Sequence, residues 1–531
     1  MKRLNKYLWL LILLGINMTA WAVPTDYMVL RWSTSIGLVS DYHQVVDLPA
    51  NKFTQAKGSI DQMLVLFDAQ GKVAGQVSIE DSLITRSEHA GHDHIDGNSL
   101  TNEELVFVIR AEQGMVDSFS MPSHVDRFTQ LYDWQELVGN AAVKGSQHVL
   151  KSQGTVDNRI NLLFIGDGYT GGQQSTFNND VDEIVSHMVT YEPYASYANF
   201  LSFDRLFVPS NESGADKPVD CYDSPIAVDT AFDGKFCTAG IQRLVTVNNS
   251  KIMAAAAASP GWDKIVAIVN DQEYGGSGGG VPTVSSNSGA KDIFIHEYGH
   301  SFTQLADEYE GLTPGYPICS DINGPLCEAN VTDVMVRNEV KWNYFIDPST
   351  PIPTPENDDQ YNNIMGLFEG ARYRPTGMYR PFKNCNMRSL GRPFCSVCQE
   401  AYVFKIYQGS YADAGELSLI EPETASPSDL TPVGEVAVPM TFSFETLQLS
   451  HPLSITWLVD NVVQTSGDSS QVTQNFEYTP NGSGSVSIKA RVNDNSAFVH
   501  DGRLDELPEF EIEWQVDVQP QTDLIFADGF E

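Results

Sequence analysis

The sequence predicts a multidomain protein with a central α/β domain between two β-rich domains. Three observations support this fold class. The chain has 531 residues, more than one hydrophobic core can hold. The segments before and after residues 145–410 alternate apolar and polar residues with the period of β-strands. Within residues 145–410, short apolar runs alternate instead with stretches of helical periodicity, as in an α/β domain.

The first 22 residues are organised like a secretory signal peptide. A basic start with Lys2 and Arg3 precedes an apolar run over residues 8–16, and an Ala-Trp-Ala sequence ends at Ala22. Small residues at this spacing form a cleavage site. We therefore expect cleavage after Ala22 and a secreted, periplasmic or cell-surface protein. No later uncharged run of 18 apolar residues predicts an integral membrane span.

The composition argues against two classes of partner. The formal net charge is −37, from 69 acidic and 32 basic residues. Nucleic acids and anionic membranes would repel such a chain, because all of them carry negative charge. We expect no nucleic-acid partner.

Residues 23–140 predict an N-terminal β-sandwich that serves as an accessory domain. Runs such as QMLVLFDAQ and ELVFVIRAE have the period-two pattern of half-buried strands and are separated by turn residues. A histidine-rich segment from His89 to His94 interrupts the pattern. Its glycines favour a polar hairpin loop, with a second metal site as the alternative.

Residues 145–410 predict the α/β domain. The run from Ile160 to Ile165 is apolar except for Asn161, which is typical of a strand covered on both faces of a sheet. Residues 173–190 then carry apolar side chains at helical spacing. A second buried strand at 264–270 precedes the glycine-rich segment DQEYGGSGGG, residues 271–280.

Residues 418–519 predict an immunoglobulin-like β-sandwich with Trp457 in its core. Its entry, residues 422–432, is rich in Pro and Ser and is expected to be a linker. Residues 520–531 form a tail whose ending, IFADGFE, is similar to a sorting motif of exported proteins of gram-negative bacteria. An edge strand or unstructured end is the alternative. The β domains are also expected to contact a surface or a glycoprotein.

The seven cysteines predict disulfides in an exported chain, with one thiol left over. Cys221 with Cys237 and Cys319 with Cys327 would close short local loops. The remaining three include a C-x-x-C pair, Cys395 and Cys398, with Cys385 upstream. A zinc ribbon needs a second such pair, so we expect a disulfide here.

The segment 291–310 carries the residues that point to chemistry. His296, Glu297 and His300 form the pattern H-E-x-x-H, which puts both imidazoles on one face of a helix, one turn apart. This arrangement suits one catalytic Zn²⁺, with Glu297 as the general base that takes a proton from water. Bulky apolar neighbours indicate a buried helix. Burying these three side chains without a metal would be costly.

A third zinc ligand must come from elsewhere. No histidine follows His300 within the predicted α/β domain, so a carboxylate is expected. Asp307 and Glu308 are nearest, and a remote residue such as Glu400 is the alternative. In a straight helix Asp307 would lie about 10.5 Å beyond His300 along the axis. The helix must therefore break within residues 301–306, although no Gly or Pro marks a break there.

The sequence HEYGHSFTQLADEY, residues 296–309, resembles the active-site helix of peptidase family M64, often called the IgA-peptidase family. Further blocks look like family blocks in the same order: NLLFIGDGYT, FVPSNESGAD, RLVTVNN, EYGGSGGG and GMYRPFKNCNMRSLGRPFCSVC. The resemblance covers residues 145–410. It implies a metzincin-like zinc endopeptidase that acts on a protein or peptide, with Asp307 as the third ligand.

Five further residues are candidates near the site. Met387 is similar to the methionine of a tight turn that packs beneath the zinc in metzincin-like peptidases, and Met365 is its rival. Tyr379 and Arg380 could stabilise an oxyanion or bind a substrate carboxylate, although a structural ion pair is the alternative for Arg380. Two glycines of the glycine-rich segment would let a substrate backbone approach closely. They are Gly275 and Gly276.

These patterns predict a secreted zinc-dependent endopeptidase. Two alternatives belong to other classes. One is an exported adhesin or glycan-binding protein with an inactive peptidase-like core, and the other is a zinc hydrolase whose substrate is not a peptide.

Overall fold

The structure is a computed structural model. Before residue 151 it describes nine strands, whose bounds are given below, and after that residues 158–259, 261–311, 316, 318–408, 417–421 and 423–521. The expected signal peptide, the histidine-rich loop and the sorting motif at the C-terminus lie outside the described residues. Two compact units are distinguished: the first groups most of the chain before residue 147 with residues 250–261, and the second groups residues 147–249 and 262–531.

The first unit is β-rich, as the period-two pattern predicted. Its described strands are β1 (Val23–Ser33), β2 (Gly37–Leu48), β3 (Met63–Phe67), β4 (Val73–Ser78), β5 (Leu83–Thr85), β6 (Glu104–Glu112), β7 (Ser118–Ser120) and β8 (Leu131–Asp133). They form two four-stranded sheets, with the orders β2-β1-β6-β5 and β4-β3-β7-β8. β1 pairs with β2 and β6 in antiparallel register. Fully buried side chains from Tyr27 to Leu30 line β1.

A six-stranded mixed sheet lies at the centre of the second unit. Its strands are β9 (His148–Leu150), β10 (Ile160–Asp167), β11 (Leu201–Phe207), β12 (Lys264–Val269), β13 (Gly276–Ser277) and β14 (Thr283–Ser285). Their order is β13-β14-β12-β10-β11-β9. The four inner strands are parallel, and each edge strand is antiparallel to its neighbour. Every residue of β10 is buried, as its largely apolar sequence predicted.

The described part of the chain contains four α-helices: α1 (Gln174–Met188), α2 (Asn249–Ala256), α3 (Ala290–Ser301) and α4 (Ser396–Gln408). α1, α3 and α4 belong to the second unit, whereas α2 lies in the first unit from residue 250 onward. α1 buries Phe177, Val181, Ile184 and Met188, the face that helical spacing predicted. α3 is buried along its length from Ile293 to Ser301. No helix within the described ranges has the length and apolar character needed to cross a membrane.

Short strands complete the second unit. They are β15 (Phe368–Ala371), β16 (Arg374–Arg380), β17 (Val433–Glu435), β18 (Met440–Glu445), β19 (Ser454–Val459), β20 (Val462–Asp468), β21 (Thr473–Tyr478), β22 (Gly484–Asn493) and β23 (Phe510–Gln519). β15 and β16 form a hairpin. The C-terminal strands form a five-stranded sheet, β17-β23-β22-β19-β20, and a two-stranded sheet, β18-β21.

Trp457 is buried, as predicted, and stacks on Trp514 with ring centroids 6.1 Å apart.

The segment 422–432, which was expected to be a linker, instead makes contacts with the C-terminal strands. Ser426 pairs with Ser443 of β18, and the carbonyl of Pro427 accepts a hydrogen bond from the Trp514 indole at 2.8 Å. This segment is therefore packed against the C-terminal strands rather than connecting two independent bodies.

Two of the expected disulfides are present, Cys221–Cys237 and Cys319–Cys327. The expected third disulfide at Cys395 and Cys398 is wrong. The two Sγ atoms lie 3.5 Å apart, and Cys385, Cys395 and Cys398 are all buried free thiols. A C-x-x-C pair is compatible with a disulfide, but the spacing alone does not decide whether its sulfur atoms bond to each other.

Candidate metal centre and active site

The helix that carries the H-E-x-x-H motif, α3, ends at Ser301, inside the interval where a break was expected. Gln304 adopts the left-handed conformation with φ +58°. Its N–H donates to the carbonyl of His300, and the N–H of Leu305 donates to that of Gly299, both at 3.1 Å, so the turn satisfies two carbonyls at the end of the helix. Glycine usually occupies this position. The turn sends the chain back, so that Asp307 reaches the two histidines.

Three acceptor atoms of this segment form a nearly equilateral triangle. His296 Nε2 and His300 Nε2 are 3.1 Å apart, and Asp307 Oδ1 lies 3.1 Å from the first and 3.3 Å from the second. A tetrahedral zinc site with ligands at about 2.0–2.1 Å has edges of about 3.3–3.4 Å. The three side chains therefore fit one small cation, with a fourth position left for water or substrate.

Backbone carbonyls orient both imidazoles. His296 Nδ1 lies 3.2 Å from the carbonyl of Asn386, and His300 Nδ1 lies 2.6 Å from that of Leu305. Each Nδ1 therefore donates its hydrogen, and each Nε2 presents a lone pair to the centre of the triangle. Three buried lone pairs that converge in this way favour a cation at their centre, either a metal ion or a proton.

Asp307 is held by residues from distant parts of the chain. Its Oδ2 accepts a hydrogen bond from the Tyr373 hydroxyl, and its carbonyl accepts one from the Arg372 N–H at 2.9 Å. The amide of Asn330, which is fully buried, bonds to both backbone groups of Ala306 at 2.8 Å. These bonds fix the carboxylate before any ligand binds.

The pKa values of Asp307, His300 and Glu297 are shifted by burial and by the charges of their neighbours. Burial would raise the pKa of Asp307, but His300 and His296 hold it well below its usual range. Burial opposes protonation of His300, but Asp307 and Glu297 raise its pKa to about 9. Burial also raises the pKa of Glu297, although the histidines oppose this effect. The ionised Asp307 favours a positive charge at the triangle.

Two glycines leave room for the Glu297 carboxylate. A Cβ on Gly276 would lie 3.3 Å from Oε1 of Glu297 and 2.5 Å from Cγ2 of Ile293. A Cβ on Gly278 would lie 3.1 Å from Oε2. The edge strand β13 thus runs beside the carboxylate, and the glycine-rich sequence lets it do so. Gly275 instead packs on Phe236, with a would-be Cβ 2.5 Å from its ring.

Three residues beside Glu297 were not predicted from the sequence as parts of the site: Arg243, Tyr274 and Tyr309. Burial would lower the pKa of Arg243, but Tyr309, Glu297 and Tyr274 raise it through their negative or hydrogen-bonding groups. Tyr309 also lies 3.4 Å from Tyr373, oxygen to oxygen. Arg243 and Tyr309 sit within blocks that resemble family M64, but nothing in their spacing relates them to the motif.

Met387 lies directly beneath the motif helix. A Cβ on Gly299 would come within 2.9 Å of its Sδ, and the side chain is fully buried. Its carbonyl accepts the N–H of Glu308 at 2.8 Å. The rival, Met365, is only partly buried at the edge of the core. This geometry favours Met387 for the methionine turn.

The other candidates make different contacts. The Tyr379 hydroxyl lies 2.8 Å from Met335 Sδ, and the buried Arg380 binds Glu356 at 2.6 Å, as in the structural alternative. Glu400 pairs with Arg503 at 2.6 Å. Glu308 belongs to a second cluster, with three cysteines. Of the carboxylates considered as third ligands, Asp307 is the one that meets both histidines.

Comparison with known proteins identifies part of the chain. The family model described as IgA Peptidase M64 matches residues 149–365 and 357–406, which contain the triangle, Glu297 and Met387. No curated protein matches the sequence.

Three solved structures show weak similarity. A lytic polysaccharide monooxygenase from Jonesia denitrificans is 18% identical over 17% of this chain and 58% of its own, with a TM-score of 0.12. CopC from Methylosinus trichosporium OB3b is 17% identical over 20% of this chain and 98% of its own, with a TM-score of 0.13. A β-glucuronidase from Bacteroides uniformis is 10% identical over 49% of this chain and 26% of its own, with a TM-score of 0.14. At these scores none of them bears on the fold.

Proposed function

We propose that the chain is a zinc-dependent endopeptidase of the M64 family, whose model matches residues 149–365 and 357–406, with His296, His300 and Asp307 as ligands. The observation that carries this proposal is the triangle of Nε2, Nε2 and Oδ1 atoms with edges of 3.1, 3.1 and 3.3 Å. Its size, its donor set and the open fourth position suit a catalytic zinc site.

The chain supplies the acid–base chemistry. When bound, Zn²⁺ provides a Lewis acid that acidifies water and polarises a carbonyl. Glu297 follows His296 on the same helix, so its carboxylate can accept the proton of the attacking water. It then delivers that proton to the leaving amine. We assign to Arg243 and Tyr309, which interact with each other and raise or lower the pKa of one another near Glu297, the role of stabilising the negative charge that develops on the carbonyl oxygen.

We take the substrate to be a protein or peptide, as the family match indicates. The outer edge of β13 is occupied by the protein's own chain. Gly276 and Ser277 are buried, the Gly276 N–H donates to the carbonyl of Arg243 at 3.2 Å, and the Ser277 hydroxyl donates to that of Val245 at 2.6 Å. The missing side chains of Gly276 and Gly278 make room for Glu297 and its helix.

We further propose that the protein is exported. The expected signal peptide and the two disulfides agree with an oxidising compartment. The family match favours a peptidase over the adhesin alternative.

The test is the variant Glu297→Ala, with the exposed Glu339→Ala as matched control. Casein hydrolysis should fall by about 10²–10⁴-fold in Glu297→Ala, which is the contribution expected of a general base. Its zinc content and thermal unfolding should equal those of the wild type. Activity in the wild type should disappear with a chelator and return with zinc. Casein hydrolysis that survives Glu297→Ala would overturn the assignment.

A further inference from the structure

The three cysteines outside the disulfides form a second buried cluster with Glu308. Cys398 Sγ lies 3.7 Å from Cys385 Sγ, 3.5 Å from Cys395 Sγ and 3.5 Å from Glu308 Oε1. All four side chains are at most 5% exposed. The cluster shares no residue with the triangle of His296, His300 and Asp307.

The spacing of these atoms matches a metal site. A disulfide brings two sulfur atoms to about 2.05 Å. Four ligands around zinc, with Zn–S at about 2.3 Å, place sulfur atoms about 3.8 Å apart and a sulfur and a carboxylate oxygen about 3.6 Å apart. The three separations from Cys398 Sγ, 3.5–3.7 Å, are close to these edges, and all four ligand atoms lie within 4.8 Å of one another.

The surroundings of the cluster call for a cation. Glu308 Oε1 accepts from the Asn330 amide at 3.0 Å, whereas Glu308 Oε2 is buried without a hydrogen-bond partner in the described part of the chain. A disulfide between any two of the cysteines would give no hydrogen-bond partner to Glu308 Oε2 and would not involve the third thiol. A metal ion would instead use all four side chains.

The start of α4 adds to this argument. Cys395 immediately precedes the helix and Cys398 lies in its first turn, where the helix dipole stabilises thiolates. A C-x-x-C pair at a helix start is also typical of redox enzymes. Here, however, both sulfur atoms are buried, so a partner's disulfide has no access to them.

We propose that Cys385, Cys395, Cys398 and Glu308 bind a second zinc ion, whose role is structural. This ion would join the two segments that complete the catalytic centre. Glu308 directly follows Asp307. Cys385 lies one residue before Asn386, whose carbonyl orients His296. The site lacks an open position because all four ligands are protein side chains, as in structural zinc sites.

The experiment uses the full chain, exported to an oxidising compartment and purified without reductant. Zinc is measured by elemental mass spectrometry, and thiols are titrated after denaturation in chelator. The proposal predicts two zinc ions per chain and three titratable thiols. One thiol would mean a third disulfide, and three thiols with no zinc in protein that carries both His296→Gln and His300→Gln would mean an empty thiol cluster. Either result overturns the proposal.

Two sets of variants separate this site from the catalytic one. His296→Gln with His300→Gln should retain one zinc and three thiols, while Cys385→Ser should lose one zinc. If the histidine variant keeps both ions, the catalytic assignment fails and the thiolate site stands. Replacing Cys319 and Cys327 by Ser is the control and should leave two ions.

A second readout does not depend on the folding of the cysteine variants. Wild-type protein loaded with Co²⁺ in place of zinc should show thiolate-to-cobalt charge-transfer absorption in the near ultraviolet. The His296→Gln, His300→Gln protein should keep this absorption, because its thiolates are intact. Cobalt-loaded protein without this absorption would contradict thiolate ligation.

Discussion

At the scale of single residues, the candidate centre depends on hydrogen bonds that orient each ligand. Asp307 gives one carboxylate oxygen to the triangle and the other to the Tyr373 hydroxyl. Each histidine is oriented by a backbone carbonyl. Such partners raise the affinity of a metal site because they remove the freedom of its ligands.

Tyr373→Phe tests this support. Loss of the hydroxyl leaves Asp307 free to rotate, so zinc affinity should fall about 10–100-fold, as measured by competition with a chromogenic chelator. Tyr379→Phe is the matched control, because the Tyr379 hydroxyl faces Met335; its zinc affinity should not change. Equal affinities in the two variants would show that Tyr373 does not position the ligand.

The sequence predicted the ligands better than it predicted their support. His296, Glu297 and His300 follow from helical geometry, and Asp307 follows from the missing third histidine together with the family resemblance. Tyr373 and Arg243 could not be predicted, because their positions depend on how distant segments fold. The cluster of Cys385, Cys395, Cys398 and Glu308 was not predicted for the same reason: Glu308 lies far from the cysteines in sequence.

At the scale of elements, the decisive feature is the end of α3. The sequence required a break between residues 301 and 306, because a straight helix would carry Asp307 away from the histidines. What makes the break could not be read from the sequence, since Gln304 takes a conformation that usually belongs to glycine. The buried Lys264 ammonium also donates to the Ser301 carbonyl at 3.2 Å, where a positive charge stabilises a helix end.

Gln304→Gly tests the strain in this turn. A left-handed residue other than glycine costs about 1–2 kcal/mol, and the glycine loses part of that gain through its greater freedom in the unfolded chain. We expect the free energy of unfolding to rise by about 0.5–1 kcal/mol, with unchanged zinc content. The control Gln304→Ala removes the exposed side chain but keeps the strain. A glycine variant that is no more stable than the alanine variant would contradict the account.

At the scale of the whole molecule, the peptidase region and the C-terminal strands share one core within the second unit. The Asp494 carboxylate, which is buried, accepts hydrogen bonds from Tyr197 at 2.6 Å and Tyr407 at 2.7 Å, and lies 2.6 Å from His451 Nε2. Tyr197 lies within the residues that the family model matches, Tyr407 lies in the last turn of α4, one residue beyond them, and Asp494 follows β22. The period-two pattern predicted the C-terminal strands, but it could not predict this contact.

Asp494→Ala should therefore destabilise the peptidase region as well. Two buried tyrosine hydroxyls lose their acceptor, so we expect the free energy of unfolding to fall by about 3 kcal/mol. Thermal unfolding is monitored both by residual casein hydrolysis and by near-ultraviolet circular dichroism. Both signals should be lost together, at a lower temperature than in the wild type. The control variant Asp505→Ala, at an exposed position, should change neither signal. Activity that outlasts the loss of C-terminal structure would argue for independent domains.

The central claim is that His296, His300 and Asp307 bind the catalytic zinc. Crystals of the zinc-loaded full chain, measured on both sides of the zinc absorption edge, test it most directly. We predict an anomalous peak about 2.0–2.2 Å from Nε2 of His296, Nε2 of His300 and Oδ1 of Asp307. A peak that lacks Asp307 as a ligand, or no peak at the histidines, would contradict the account.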